Sequence, residues 1–245
     1  MYNRAFCVLP KVRAVMSNKV TAIILAGGGG SRMGTAVAKQ LITLCGMSVI
    51  ERSISAFSEC ENISDIVVVS RIEDMAEVLE ITRRYPKVKQ VCEGGGCRVE
   101  SAKIGFLLCD NDTDTVAIHD AARCLVTPEM ISKVIKTAEK YGAATAATSV
   151  VDTLKRVNDN GEILETVSRE NLWSAQTPQA FSYGIYKRAI TEFYDESVTD
   201  DNSLVERMGI SVKVVDLGKE NIKITYSDDL PYAQYIINKR EKKQL

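Results

Sequence analysis

A chain of 245 residues, 45% hydrophobic and 26% charged, is long enough to bury one substantial α/β core and has the composition of an ordinary globular protein. Its net charge of -1 offers no global attraction to a nucleic-acid backbone or an anionic membrane, so any phosphate chemistry must rest on local Arg and Lys clusters. No apolar run approaches the roughly 18 residues of a membrane span, and a soluble, cytoplasmic protein is expected. The cysteines (Cys7, Cys45, Cys60, Cys92, Cys97, Cys109 and Cys124) form no CxxC pair, and His119 is the sole histidine. That pattern argues for reduced structural thiols, and against a thiol–histidine metal cluster or a histidine-dependent triad. His119 itself, following an apolar run, is expected to be structural.

The segment 1–17 carries Arg4, Lys11 and Arg13 without a long apolar core, and is expected to be a disordered leader outside the fold. Apolar β-rich runs then alternate with amphipathic stretches. Strands are predicted at Val20–Leu25, Asp65–Ser70, Val88–Cys92, Thr115–His119, Ala144–Val150, Trp173–Gln176 and Val212–Val215. Helices are predicted near Ser48–Glu59, Glu73–Tyr85, Arg98–Leu108, Pro128–Tyr141, Tyr183–Tyr194 and Asp228–Lys239. Short apolar strands separated by helices imply an α/β fold, a mostly parallel sheet covered on both faces. The expected organisation is one domain over 18–242.

The rhythm breaks at Val151–Arg169, where charged and apolar residues alternate around Asn160-Gly161. Two short strands flanking an Asn-Gly turn predict a β-hairpin. A lone hairpin has too little apolar surface to be stable by itself, so a protruding arm that packs on a second subunit is expected.

The most informative stretch is LAGGGGSRMGTAVAKQ, from Leu25 to Gln40. A buried strand runs into four glycines, whose backbone lets a ligand approach and turns N–H groups inward as a phosphate nest. Arg32 and Lys39 follow, to neutralise triphosphate charge and the charge developing at phosphorus. A dinucleotide fingerprint fails because Met33 stands where the third glycine is needed, and a Walker A loop fails because Thr35, not lysine, follows Gly34.

This loop resembles the signature of sugar-phosphate nucleotidyltransferases, which share a Rossmann-like fold. Six further segments narrow the likeness: GGGCRVES (94–101), HDAAR (119–123), DTLKR (152–156), LWSAQTPQAF (172–181), TDDNS (199–203) and NIKIT (221–225). In that order they resemble the 2-C-methyl-D-erythritol 4-phosphate cytidylyltransferase family over about residues 20–238. The resemblance implies a Rossmann-like three-layer α/β/α fold with a β-hairpin dimerisation arm. It also implies transfer of CMP from CTP to a small sugar-alcohol phosphate, with magnesium as cofactor and a homodimer joined through the 151–169 arm.

It further implies roles for individual residues. Arg32, Lys39 and Lys223 would be catalytic; Lys223 is expected on a strand, facing away from Ile222 and Ile224. CTP would be bound by Ala26, Gly27, Gly28, Gly29, Gly30, Gly94, Gly95, Arg98, Ser101, Asp120 and Ala121, and Asp120 would hold magnesium directly or through water. The acceptor would be bound by Arg123, Thr153, Arg169, Thr199 and Asp200, with Thr153 and Arg169 reaching across from the neighbouring subunit. Asp200-Asp201 would equally serve as a helix-capping pair, Lys155 and Arg156 are expected to be solvated arm charges, and Thr177-Pro178-Gln179 is expected to form a turn beneath the site. Gly96 and Cys124 depart from the family, which often has a polar residue and a proline there. A ribitol 5-phosphate cytidylyltransferase shares most of these motifs and is the nearest alternative. A nicotinamide-dependent reductase and a catalytically inactive nucleotide-binding protein fit them less well.

Overall fold

The computed structural model describes residues 18–28 and 38–242. A seven-stranded sheet runs through the molecule in the order β11-β7-β10-β6-β1-β4-β5. Its strands are β1 (Val20–Ala26), β4 (Asp65–Ser70), β5 (Val88–Glu93), β6 (Thr115–Asp120), β7 (Ala143–Ser149), β10 (Trp173–Ser182) and β11 (Lys213–Asp216). Among them β10 alone runs antiparallel to its neighbours. In the register of β1 with β6, Leu25 lies opposite Asp120, which brings the glycine stretch and Asp120 to the same carboxyl edge.

Alternation along the central strands builds two apolar layers. Ala22 and Ile24 of β1, with Ile66 and Val68 of β4, pack against α1 (Val49–Glu59), α2 (Met75–Thr82) and α4 (Pro128–Tyr141). Ile23 and Leu25, with Val67 and Val69, face the opposite layer of α3 (Arg98–Leu107), α5 (Tyr183–Glu192) and the short α6 (Asn202–Glu206). The helices begin and end where their residues dictate. Ser48 Oγ caps α1 by accepting from the Glu51 N–H, and Thr127 Oγ1 caps α4 by accepting from that of Met130, with Pro128 in its first turn. Gly142 ends α4 in the left-handed region at φ +89°, a conformation costly for any side chain. Gly105 lets α3 approach the sheet: a Cβ there would lie 2.5 Å from Ile23 Cγ2.

The C-terminal helix α7 (Asp229–Glu241) belongs to a smaller apolar cluster, in which Ala233, Ile236 and Ile237 meet Leu44, Val49, Leu125 and Ile224. Leu44 comes from a tiny antiparallel pair, β2 (Thr43–Leu44) and β3 (Met47–Ser48), turned through Cys45 and Gly46 at positive φ. This pair and α6 are too short to leave a periodic signature in the sequence.

Three expectations need correction. Thr177-Pro178-Gln179 is not a turn but the interior of β10, at a register irregularity between Ala175 and Gln179; such a site tolerates a proline, which has no N–H for the ladder. Residues 221–225 lie outside any strand or helix, held by the Ile224 N–H donating to the Ala122 carbonyl at 2.8 Å. The arm is a hairpin of β8 (Leu154–Val157) and β9 (Ile163–Val167), but its connection spans residues 158–162 rather than two. Asn158 Oδ1 accepts from the Asn160 and Glu162 N–H groups, and Gly161 supplies φ +81°.

Leu154, Val157, Ile163 and Leu164 on this arm are all exposed, an apolar surface that the other described residues do not cover. Lys155 bonds Thr166 Oγ1 and Arg156 pairs with Glu165 across the strands, so both charges serve the arm itself. Among the described residues, no helix is long and apolar enough to cross a membrane.

Candidate active site

A cleft of about 350 Å³ opens at the carboxyl edge of β1 and β6. One wall begins at Gly27 and Gly28, where β1 ends. Gln40, in a single 3-10 turn with Lys39, donates its Nε2 hydrogens to the Ala26 carbonyl at 2.7 Å and the Gly28 carbonyl at 2.5 Å. The sequence pairing of Lys39 with Gln40 thus has a structural sense: glutamine ties the returning chain to the glycine strand, and lysine lines the cleft. Gly29, Gly30 and Arg32 lie outside the described residues.

The opposite wall is the turn into α3. Ser101 Oγ accepts from the Gly95 N–H at 3.1 Å and donates to the Cys97 carbonyl at 3.0 Å, while Glu100 Oε2 accepts from the Gly96 N–H at 2.6 Å. A Cβ on Gly94 would fall 2.8 Å from Ser101 Oγ, and one on Gly95 would fall 2.3 Å from Glu100 Cγ. Close approach, rather than a positive φ, favours glycine at 94, where buried Ser101 and Val69 leave no room; at 95 the obstacle is the flexible Glu100 side chain, which can move aside. Gly94 borders an adjoining recess shared with Gly27 and Gly95.

Asp120 lies on the floor between two cations. Arg98 Nε donates to its Oδ1 at 3.0 Å, and Lys223 Nζ donates to its Oδ2 at 2.6 Å. Burial opposes ionisation of this carboxyl, but Arg98 and Lys223 overcome it and hold the group well below the usual carboxylate range. Arg98 is loaded on its far side as well, where Nη1 donates to Asp201 Oδ2 at 2.7 Å. Burial disfavours the guanidinium charge, and Asp201 and Asp120 more than restore it. Lys223 reaches the floor because Ile222 and Ile224 pack into the α7 cluster and Asn221 Nδ2 bonds Gln176 Oε1 and the Thr177 carbonyl.

His119, fully buried, contacts the Phe57 ring at 4.9 Å between centroids, and its Nδ1 pairs with Thr177 Oγ1 at 3.1 Å. Thr177 Oγ1 also accepts from the Asp120 N–H at 3.0 Å. Burial pushes the imidazole down to about 3 from 6.5, so His119 is neutral and takes no part in the cleft. An unfolded chain would protonate it near 6.5, so the stability it contributes is present above that pH and is lost as pH falls toward 3. His119→Gln is therefore expected to remove a slope of about 1.4 kcal/mol per pH unit across this window. Urea midpoints of parent and variant between pH 7 and pH 4 should converge as the acid limb is entered; parallel limbs would contradict the assignment.

The cleft gathers Gly27, Gly28, Lys39, Gly95, Arg98, Ser101, Asp120 and Lys223. Ala26 and Ala121 are buried behind it, and Ala121 donates its N–H to the Leu25 carbonyl. Arg123 stands beside the cleft, with Nη1 donating to the Asn221 carbonyl at 3.0 Å. Thr153 and Arg169 are exposed at the arm's base, where Arg169 Nη1 bonds the Val151 carbonyl, and Thr199 is exposed. None of these lines the cleft within one chain. Asp200 is spent on the start of α6, accepting from the Ser203 N–H and Oγ and from Asn202 and Gln179 side chains.

Sequence reasoning missed Asp201 as a site residue. It is fully buried and anchors Arg98, and the doubled aspartate of TDDNS was its one signal. Free thiols at Cys60, Cys109 and Cys124 are buried, and burial pushes Cys109 up to about 12 and Cys124 up to about 11.

A mostly parallel α/β sheet with a cleft at its carboxyl edge, floored by Asp120 between the cations Arg98 and Lys223, has the arrangement in which open α/β folds bind their ligands. The family model described as 2-C-methyl-D-erythritol 4-phosphate cytidylyltransferase matches residues 20–239, and the chain belongs to that family. The enzyme of that name from Alkaliphilus metalliredigens is 41% identical over 231 residues, covering 92% of this chain and 96% of its own. That from Prochlorococcus marinus is 38% identical over 218 residues, covering 88% and 97%. The crystal structure of 4-diphosphocytidyl-2C-methyl-D-erythritol synthase from Anaerococcus prevotii matches with a TM-score of 0.80 at 28% identity, over 91% of this chain and 99% of that one.

Proposed function

We propose that this chain transfers CMP from CTP to 2-C-methyl-D-erythritol 4-phosphate, giving 4-diphosphocytidyl-2-C-methyl-D-erythritol and pyrophosphate. The family match across residues 20–239 carries the choice of reaction and disfavours ribitol 5-phosphate as acceptor. An acceptor phosphate oxygen attacks the α-phosphorus of CTP, the bond from that phosphorus to the bridging oxygen breaks, and pyrophosphate leaves with the electron pair. A phosphate monoester is already a competent nucleophile at neutral pH, so no general base is required. That agrees with a neutral, buried His119. The residues contribute alignment and charge: Gly27, Gly28, Gly94 and Gly95 admit the nucleotide, and Lys39 and Lys223 meet the negative charge growing at phosphorus, with Arg32 in the same role.

The chemistry of the cleft suits a divalent cation held mainly by substrate. No group of three or more acidic, thiol or imidazole side chains able to cage a metal occurs among the described residues. Asp120 is one ionised carboxylate at the cleft floor, and magnesium is commonly held by one or two carboxylates together with substrate phosphates and waters. Asp120 would hold it, directly or through water, and the ion would supply neutralisation of the triphosphate. Pyrophosphate release with magnesium and CTP, comparing methylerythritol phosphate with ribitol 5-phosphate, tests the reading. Strong preference for the first is expected; preference for the second would overturn the acceptor, and release with neither would overturn the transfer.

Residues 18–242 act as one nucleotidyltransferase domain, working in the cytoplasm as a homodimer. The arm's exposed apolar residues, and the absence of Thr153 and Arg169 from the lining of their own cleft, support a site completed by a second copy. Two separately inactive variants, Lys223→Ala and Arg169→Ala, should then complement on mixing. One site of each mixed dimer would be intact, giving about a quarter of the parent activity after random exchange. No recovery after verified exchange would place Arg169 in its own subunit's site or outside catalysis.

A further inference from the structure

We propose that Asp201 is a positioning residue for the transfer reaction: held from behind by Tyr186, it fixes Arg98 and thereby the orientation of Asp120 and the ammonium of Lys223. Asp201 is fully buried, away from the cleft. Its Oδ1 accepts from the Tyr186 hydroxyl at 2.6 Å, its Oδ2 accepts from Arg98 Nη1 at 2.7 Å, and its N–H donates to Gln179 Oε1 at 3.1 Å. Tyr186 is itself immobilised, fully buried and stacked on Phe181 with centroids 5.3 Å apart. A residue pinned at its carboxylate by Tyr186 of α5 and at its backbone by Gln179 of β10 cannot follow Arg98, so Arg98 must follow it.

The alternating chain Asp201, Arg98, Asp120, Lys223 leaves the guanidinium little freedom, with its Nε and Nη1 each committed to a carboxylate. Helix capping does not explain Asp201. It makes no side-chain cap to α6, and Asp200 performs that task through the Ser203 N–H and Oγ. Nor does simple stabilisation, because a buried ion pair gains little over well-packed apolar residues of similar volume and serves better to fix orientation. A shift of an ångström at a reacting group is enough to cost about 100-fold in rate.

The proposal rests on the assignment of Asp120 and Lys223 to the transfer step. Lys223→Ala, assayed alongside, keeps failure of that assignment distinguishable from failure of this one. The test is a double-mutant cycle on kcat and KM, read by pyrophosphate release, with Asp201→Asn, Arg98→Ala and the double variant. Asp201→Asn is expected to lower kcat about 10-fold or more with a much smaller change in KM for CTP, and to add almost nothing in the Arg98→Ala background. Parent-like kcat in folded Asp201→Asn, or the same loss with and without Arg98, would overturn the proposal. Should Asp201→Asn fail to fold, Tyr186→Phe replaces it in the same cycle. A loss of about 3-fold in kcat that vanishes with Arg98→Ala is then expected, and an unchanged or additive kcat would overturn the proposal.

Discussion

Lys223→Ala is expected to fold and to lose about 100- to 1000-fold in turnover, the scale seen when one preorganised donor to a developing charge is removed. Its ammonium lies on the cleft floor, 2.6 Å from Asp120, on a segment fixed by backbone rather than by the lysine itself. The neighbouring Ile224 is fully buried and Asn221 is bonded to β10, so truncating Lys223 removes a charge without releasing the segment that carries it. Stability should fall only modestly, since buried Asp120 keeps Arg98 as a partner and the lost pair, exposed at its lysine end, is partly screened by solvent. Turnover measured by pyrophosphate release in a sample with parent-like unfolding decides the matter. Near-normal turnover would remove Lys223 from the transfer step.

Asp120→Asn should damage stability and turnover together. The parent carboxylate accepts from a guanidinium on one oxygen and an ammonium on the other. An amide offers only one acceptor, so its NH2 would confront the donors of either Arg98 or Lys223. Breaking a buried pair by removing one partner typically costs 3–5 kcal/mol; the exposure of Lys223 brings the expectation to about 3 kcal/mol. The sign of its pH dependence follows from the depressed pKa. The stabilisation is present above the unfolded value near 3.8 and lost only as pH falls through the lower folded value, so the deficit should be constant around neutrality. Turnover should fall about 10-fold or more because Lys223 loses its anchor. Urea titration at pH 7 and pyrophosphate release measure the two effects; an Asn variant as stable as the parent would mean that the clamp is not a buried charge network.

The order and type of most elements were legible because their signals are local. Val20–Ala26 and Asp65–Ser70 are built on the apolar runs 22–26 and 66–69, and α1 and α4 carry capping residues at their first turns. The glycine requirement at 94, Asp120 at a strand end and the Asn-Gly hairpin were likewise local patterns. What failed was longer in range. Proline in a strand interior looked like a turn because its tolerance depends on a register irregularity set by β7. The segment around Lys223 looked like a strand by alternation, yet its apolar residues answer to α7 rather than to a sheet.

The chemical inventory was thus determined by the sequence itself: which residue types exist, the two glycine runs, the cations near them, and the single histidine. Tertiary structure alone decided how those charges are spent. Asp201 stands 103 residues from Arg98, and Lys223 the same distance from Asp120. No local pattern couples positions so far apart; their pairing exists only because strand order and helix packing bring them to one end of the sheet. There, burial makes an unpaired Asp120, Arg98 or Asp201 costly, so each of the three is held against a partner of opposite charge.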